Sequence, residues 1–299
     1  MTVTTAQLIS DTERNLLAGD RDEANLLTNS VNTTDTSFTF TYDLNGIQPG
    51  SYLALDLEIC YVWAVNESAN TATVQRAMLN STAASHTAAT MTYVNPKFSK
   101  WDILNALNVE LADISPELFQ VKSFSLTSEP VKWTYTVPAI NTDILEILEI
   151  RYQPPDPSFS WPRVSRRKTQ LLRSMPTTGD GSFTSAMGIR IEEMLYPGRP
   201  MTVRYAAPFA SLTTLTDNVL TVTGLSASML DIPPMGAAAR LMGVREAKRA
   251  FIESTMDTRR ASEVPTGASA RAAQVLLSLV EGRIRSEVQA LRQAWPESN

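Results

Sequence analysis

The sequence predicts an α+β protein with a helical portion and two β regions. Three observations predict it. Residues 268–294 carry apolar side chains at steps of three and four, the period of an amphipathic helix. Phe38, Phe40 and Tyr42 alternate with threonines, as do Val131, Trp133, Tyr135 and Val137 with other residues, the period of a strand. Helical and strand-like stretches follow each other in blocks rather than in a regular βαβ alternation.

Thr4 or Thr5 can cap a first helix running to about Ala18, with Leu8, Ile9, Leu16 and Leu17 on one side and Gly19 as its stop. Asp20 to Asp35 is polar and reads as a loop, with a short helix around Asp22 to Leu27 as the alternative. Strands are expected at 37–42, 52–58, 59–65, 71–76 and 90–94, with Asn66 to Asn70 turning a hairpin. Ser99 caps the next helix, Asp102 stands three residues on, and Ile103, Leu104, Leu107, Leu111 and Ile114 form its buried face. Pro116 follows its end. A second β region, resembling a small sandwich, runs from about Phe119 to Leu220, interrupted by the proline-rich loop at 153–157. Gly179-Asp180-Gly181 reads as a turn. Two helices close the chain. One follows Pro233-Pro234 and reaches about Ser254, beginning with small residues (Gly236 to Ala239) and becoming basic at Arg245, Lys248 and Arg249. The other presents Leu277, Val280, Ile284, Val288, Leu291 and Trp295 on one face and stops at Pro296. The implied domains are 1–118, with the first helix, hairpin sheet and central helix; 119–225, sandwich-like; and 226–299, a helical hairpin that packs on the N-terminal part or docks on a partner.

Composition excludes several classes. The 299 residues are 43% hydrophobic and 19% charged, enough apolar content to fill a core. No run of eighteen apolar residues predicts a membrane span, and the first residues have no basic stretch of a secretory leader. One cysteine, Cys60, precludes an internal disulfide and sits in an apolar strand, where a core thiol is expected. One histidine, His86, leaves no His/Cys metal cluster, and no phosphate-binding glycine loop is present, so no cofactor is expected. Glu146, Glu149, Glu192 and Glu193 are the carboxylates left for acid–base chemistry, and surface acids explain them more simply, so no enzyme activity is expected. His86 lies in a small polar loop, Ser81 to Ala89, without an evident titrating partner. On that reading His86→Gln changes stability by no more than about 1 kcal/mol.

Charge is uneven. The chain carries net −5, yet residues 240–292 hold ten Lys and Arg against six Asp and Glu. Arg163, Arg166, Arg167 and Lys168 form a second basic patch, fit to face DNA or an acidic partner, or to protect a strand edge.

Two stretches resemble a known family. Glu58-Ile59-Cys60-Tyr61-Val62-Trp63, followed by Val74-Gln75-Arg76-Ala77-Met78-Leu79-Asn80-Ser81-Thr82-Ala83-Ala84-Ser85-His86, resembles a β-hairpin pattern of tailed-phage virion proteins, E-x-M-x-V before V-x-R-G-x-x-G-T-x-A-x-x-H. Ala77 and Asn80 stand where that pattern has glycine, the residue that takes φ > 0 most freely. Gly236 to Leu241 together with Arg259-Arg260-Ala261-Ser262-Glu263-Val264-Pro265 resembles the C-terminal helices of phage head-to-tail connector, or adaptor, proteins. The resemblance implies a structural virion protein without catalysis, found in the virion neck and assembled in the bacterial host cytoplasm. It implies a homo-oligomeric ring of about twelve copies, matched to its portal. The implied partners are the portal protein, other neck or tail proteins, and genomic DNA passing through the channel without sequence-specific binding; no membrane is involved. A tail-tip or baseplate protein whose sandwich binds carbohydrate or host surface is the alternative.

Overall fold

The fold is described from a computed structural model that covers residues 2–16, 22–115, 117–156, 158–179, 181–254 and 268–295. It is a mixed α/β structure with five α-helices and antiparallel sheets among these residues. Expectations at Leu17 to Gly19, Pro116, Asp180, 259–265 and Pro296 lie outside the described residues, as do the side chains of Arg245, Lys248 and Arg249. The chain divides into two compact units, 1–110 with 211–283 and 111–210 with 284–299, so the division falls within two of the helices.

The first unit is built on a six-stranded sheet. Its strands are β1 (Glu23–Leu26), β2 (Ser37–Thr39), β3 (Tyr52–Leu55), β4 (Glu58–Asn66), β5 (Thr71–Gln75) and β6 (Met91–Val94), in the order β1-β6-β3-β4-β5-β2. The sheet curls until its two outer strands meet. Thr28 donates its amide to the Thr39 carbonyl at 2.8 Å and Thr41 to the Leu26 carbonyl at 2.9 Å. Joining the outer strands occupies backbone groups that an open sheet would expose. The inside is apolar: Phe38, Phe40, Leu53, Leu55, Cys60, Val62 and Val74 pack there with Leu27 and Ile47. Cys60 is indeed a core thiol, and burial raises its pKa.

β1 is a correction. Asp20 to Asp35 reads as a loop, with a short helix around Asp22 to Leu27 as the alternative, because the segment is polar. Pairing with β6 makes it a strand, in the register Glu23↔Val94 to Leu26↔Met91. Asn25 then holds the chain on its other side, accepting from the Tyr42 amide and donating to the Tyr42 and Asp43 carbonyls.

Helices α1 (Thr5–Leu16), α2 (Lys100–Ile114), α3 (Val219–Thr223), α4 (Ile232–Ser254) and α5 (Ala268–Ala294) complete the chain's helical part. Ser99 and Asp102 form the reciprocal cap that their spacing predicts. The Ser99 hydroxyl accepts from the Asp102 amide at 3.0 Å, and the Asp102 carboxylate accepts from the Ser99 amide at 3.2 Å. α1 packs on α4, with Leu8 and Ile9 buried on the first and Ala237, Ala238 and Ala239 buried on the second. Pro233 and Pro234 fall in the first turn of α4, where their missing N–H costs nothing. Gly236 makes room for a buried carboxylate. A Cβ there would stand 2.2 Å from the Glu110 carboxyl, which pairs with Arg240 one turn further along at 2.7 Å.

The second unit contains two three-stranded antiparallel sheets. One comprises β7 (Gln120–Thr127), β9 (Glu146–Tyr152) and β12 (Pro200–Ala207), in the order β7-β12-β9; the other comprises β8 (Thr134–Thr136), β10 (Thr169–Leu172) and β11 (Gly188–Ile191), in the order β10-β11-β8. Both feed one cluster that includes Tyr135, Val137, Ile150, Ile189, Ile191, Met201, Val203 and Tyr205. The alternation from Val131 to Val137 holds only in its second half. Val131 is 87% exposed and Trp133 is exposed, while Tyr135 and Val137 are buried. The expected β region also overruns: β12 ends at Ala207, and Val219–Thr223 is the helix α3, capped by the Asn218 side chain.

Replacing glycine by alanine inside a helix ordinarily stabilises by about 1 kcal/mol. At Gly236 the sign reverses, because the new methyl displaces the Glu110 carboxyl from Arg240. Gly236→Ala is expected to lose about 1–3 kcal/mol in urea unfolding; a gain would show that this carboxylate moves freely.

Candidate functional site

Besides Glu110 on α2, two buried carboxylates stand among the described residues, Glu58 in the first unit and Glu149 in the second, and each gathers several donors. The first is Glu58, the opening residue of β4, 1% exposed. Arg76, just past β5, grips it with two parallel bonds of 2.6 Å, from Nε to Oε1 and from Nη2 to Oε2. His86 Nε2 lies 2.9 Å from Oε2. The amides of Ala77 and Ala84 donate to the same carboxylate at 3.3 and 3.1 Å. Arg76 is equally engaged: Nη1 donates to the carbonyls of Asn32 and Asp35, and Nη2 to that of Ala84. Its guanidinium also lies 5.1 Å from the centre of the Phe38 ring. His86 is 4% exposed, its backbone pairs with Val31, and its Nδ1 faces Asp56 at 3.4 Å. Asp56, in the turn between β3 and β4, also faces Lys100 Nζ at 3.6 Å.

The electrostatics follow. Burial pushes the Glu58 carboxyl up, but the hydrogen bonds from Arg76 and His86 outweigh it and bring its pKa to about 2. Burial pulls the His86 imidazole down, and its bonds to Asp56 and Glu58 outweigh that, raising it to about 9. His86 is therefore a cation at neutral pH, held between two carboxylates. This corrects the reading of its loop as lacking a titrating partner: the partners come from the β3–β4 turn and from β4. The cluster has no open oxygen on Glu58 and no idle donor on Arg76, so its chemistry is to fasten three loops, near residues 32–35, 76–77 and 84–86, to one strand end.

Glu58, Arg76 and His86 are also the three charged or titratable residues of the hairpin pattern quoted above. The backbone between them is left-handed at both positions where that pattern has glycine. Ala77 and Asn80, standing for glycines, have φ of 55° and 62°, with Leu79 between them at 53°. A left-handed alanine costs on the order of 1–2 kcal/mol, and the bond from its own amide to Glu58 helps hold it there.

The second carboxylate is Glu149 on β9, also buried. Three guanidiniums meet it: Arg151 at 2.8 Å, Arg204 of β12 at 3.3 Å, and Arg163. The basic patch predicted from sequence is thus neutralised in part. Arg163 pairs with Glu149, Arg166 with Glu146 at 3.5 Å, and Lys168 with Glu193 at 3.6 Å, while Arg167 is exposed. Arg163, Arg166 and Lys168 line a cleft of about 380 Å³, and Ala294 and Trp295 at the end of α5 form part of its wall. Trp295 lies over Arg204, 5.9 Å from guanidinium to ring centre. Two groups of residues singled out separately in the sequence therefore meet.

The remaining α5 residues divide. Val280 is buried and Ile284, Val288, Leu291 and Trp295 are half-buried against the chain itself, whereas Leu277 is exposed along with Val275 and Leu279. Arg283 donates to Asp231 at 2.7 Å. Among the described residues no helix is long and apolar enough to cross a membrane.

No protein-family model matches the chain, and no curated protein is similar to it.

Removing one partner of the first cluster leaves a buried charge alone, which costs about 3–5 kcal/mol. Arg76→Met is expected to destabilise by that amount in urea unfolding. His86→Gln is expected to cost about 2 kcal/mol, the worth of a hydrogen bond to a charged group, rather than the smaller change its loop composition suggests. The pH profile separates the groups. The His86 pairs stabilise fully below about 6.5 and lose their effect as pH rises through about 9. Those of Glu58 act above about 4.5 and fail as pH falls through about 2. Stability should therefore be highest between these limits, and His86→Gln should flatten the alkaline limb and, since His86 also helps lower Glu58, weaken the acid limb, which Arg76 still supports.

Proposed function

We propose that the chain is a head-to-tail adaptor of a tailed bacteriophage, a structural and non-enzymatic virion protein that forms a ring between portal and tail around the path of the DNA. One observation carries the reading. Glu58, Arg76 and His86, set by the hairpin pattern at separations of eighteen and ten residues, meet in one buried network. The pattern's two glycine positions are left-handed although alanine and asparagine occupy them. That the three polar letters of the pattern serve one network supports the reading. On this reading the two sheets of the second unit form a small β-sandwich, since they share one apolar cluster. A closed ring needs two unlike patches on each copy. We place one on α5, where Val275, Leu277 and Leu279 are exposed. The half-buried residues from Ile284 to Trp295 are partly engaged within the chain and serve docking less than the sequence alone suggests. The tail-tip alternative would gain from clustered aromatics on the second unit. Trp133, Phe159 and Tyr196 are exposed there, but among the described residues none stacks on another aromatic ring.

Cryo-electron microscopy of virions containing this chain tests the proposal. The expected map has a ring of about twelve copies between portal and tail. A monomeric decoration, or a position at the distal end of the tail, would overturn it.

A further inference from the structure

The two carboxylate clusters differ in one respect that matters for binding. Around Glu58 every donor is engaged. Around Glu149 the donors are only half engaged. Arg151 and Arg163 each use Nε, and Arg204 uses one Nη; among the described residues the other N–H groups of these three guanidiniums have no partner. A guanidinium anchored through Nε keeps its Nη1–Nη2 edge, the fork that matches an oxyanion, for a second acceptor. The anchor is firm because Glu149 is buried. Its three arginines come from β9, from β12 and from the segment that bridges to β9 at Arg151 and Arg163.

The surroundings fit an anion. Five cations (Arg151, Arg163, Arg166, Lys168 and Arg204) stand against three carboxylates (Glu146, Glu149 and Glu193), an excess of two positive charges in a chain that is negative overall. The cleft of about 380 Å³ opens beside Arg163, Arg166 and Lys168. The Ser165 side chain, exposed in that lining and without a capping bond, adds a hydroxyl donor. Arg151 and Arg204 do not line the cleft but share its carboxylate. A planar carboxylate takes one fork. A tetrahedral phosphate accepts from several directions, and the excess of two suits a free phosphate or monoester of about −1.5 to −2 charge or two successive backbone phosphodiesters of one charge each.

We propose that this cleft is a phosphate-binding site. The proposal goes beyond the adaptor reading and does not depend on it: the phosphate can be free, as on a small molecule, or part of a nucleic-acid backbone. Inorganic phosphate followed by calorimetry, and a labelled DNA duplex followed by anisotropy at low and moderate salt, distinguish the two sources. A duplex that binds far more tightly than inorganic phosphate, with affinity falling steeply with salt, assigns the site to a nucleic-acid backbone. Comparable affinities assign it to a free phosphate. In either case the double variant Arg163→Ala/Lys168→Ala is expected to bind about tenfold or more weakly. Both side chains are exposed, so the variant should keep its circular dichroism spectrum. Arg14→Ala, an exposed arginine on α1, should change nothing. The proposal is overturned if neither probe binds, if the double variant binds as the parent does, or if Arg14→Ala weakens binding equally. Binding of poly-glutamate in the absence of phosphate binding would also overturn it and would identify an acidic-peptide surface instead.

Discussion

The hairpin region depends on where one carboxylate is put. Glu58 sits at the start of β4 with its side chain turned away from water, an arrangement that is costly unless each oxygen is satisfied. Arg76, His86 and two backbone amides satisfy them, and these donors come from two pieces of chain, 76–77 and 84–86. Apolar residues of similar shape could match such a network in stability. They could not match it in geometry: a methyl group does not distinguish the loop at 32–35 from the loop at 84–86, whereas a guanidinium with fixed N–H directions does. The network thereby specifies how three irregular segments, with four left-handed non-glycine residues at 77, 79, 80 and 89, lie against a curled sheet.

Glu149 is the same device turned outward. Its carboxylate is buried, but its arginines reach the surface, so it aligns donors instead of consuming them. The contrast explains why one cluster reads as a fastening and the other as a binding surface. It also explains why a run of basic residues is a poor measure of field. Arg163, Arg166 and Lys168 each meet a carboxylate, supplied by β9 or by Glu193.

Much of the secondary structure was legible because it is local. The alternation at Phe38 and Phe40, the cap at Ser99 and Asp102, and the periodicity of α5 are statements about neighbours in sequence. β1 was not legible, since EANL becomes a strand only by pairing with β6, some seventy residues away. Nor was the half of the Val131–Val137 alternation that faces solvent, because period two marks a face and not what covers it. The partners of His86 are hidden for the same reason. Asp56 and Glu58 stand 30 and 28 residues earlier. The signal that could have found them was the hairpin pattern, which sets Glu58, Arg76 and His86 apart as its polar letters.

A buried, charged histidine completes the network on Glu58. His86 is the chain's only histidine, so its ring can be followed without assignment ambiguity in a nitrogen-15 NMR titration of the intact protein. The account predicts that both ring nitrogens carry a proton at neutral pH and that the ring titrates near 9. A neutral ring at pH 7, or a titration at or below the ordinary value of 6.5, would contradict it.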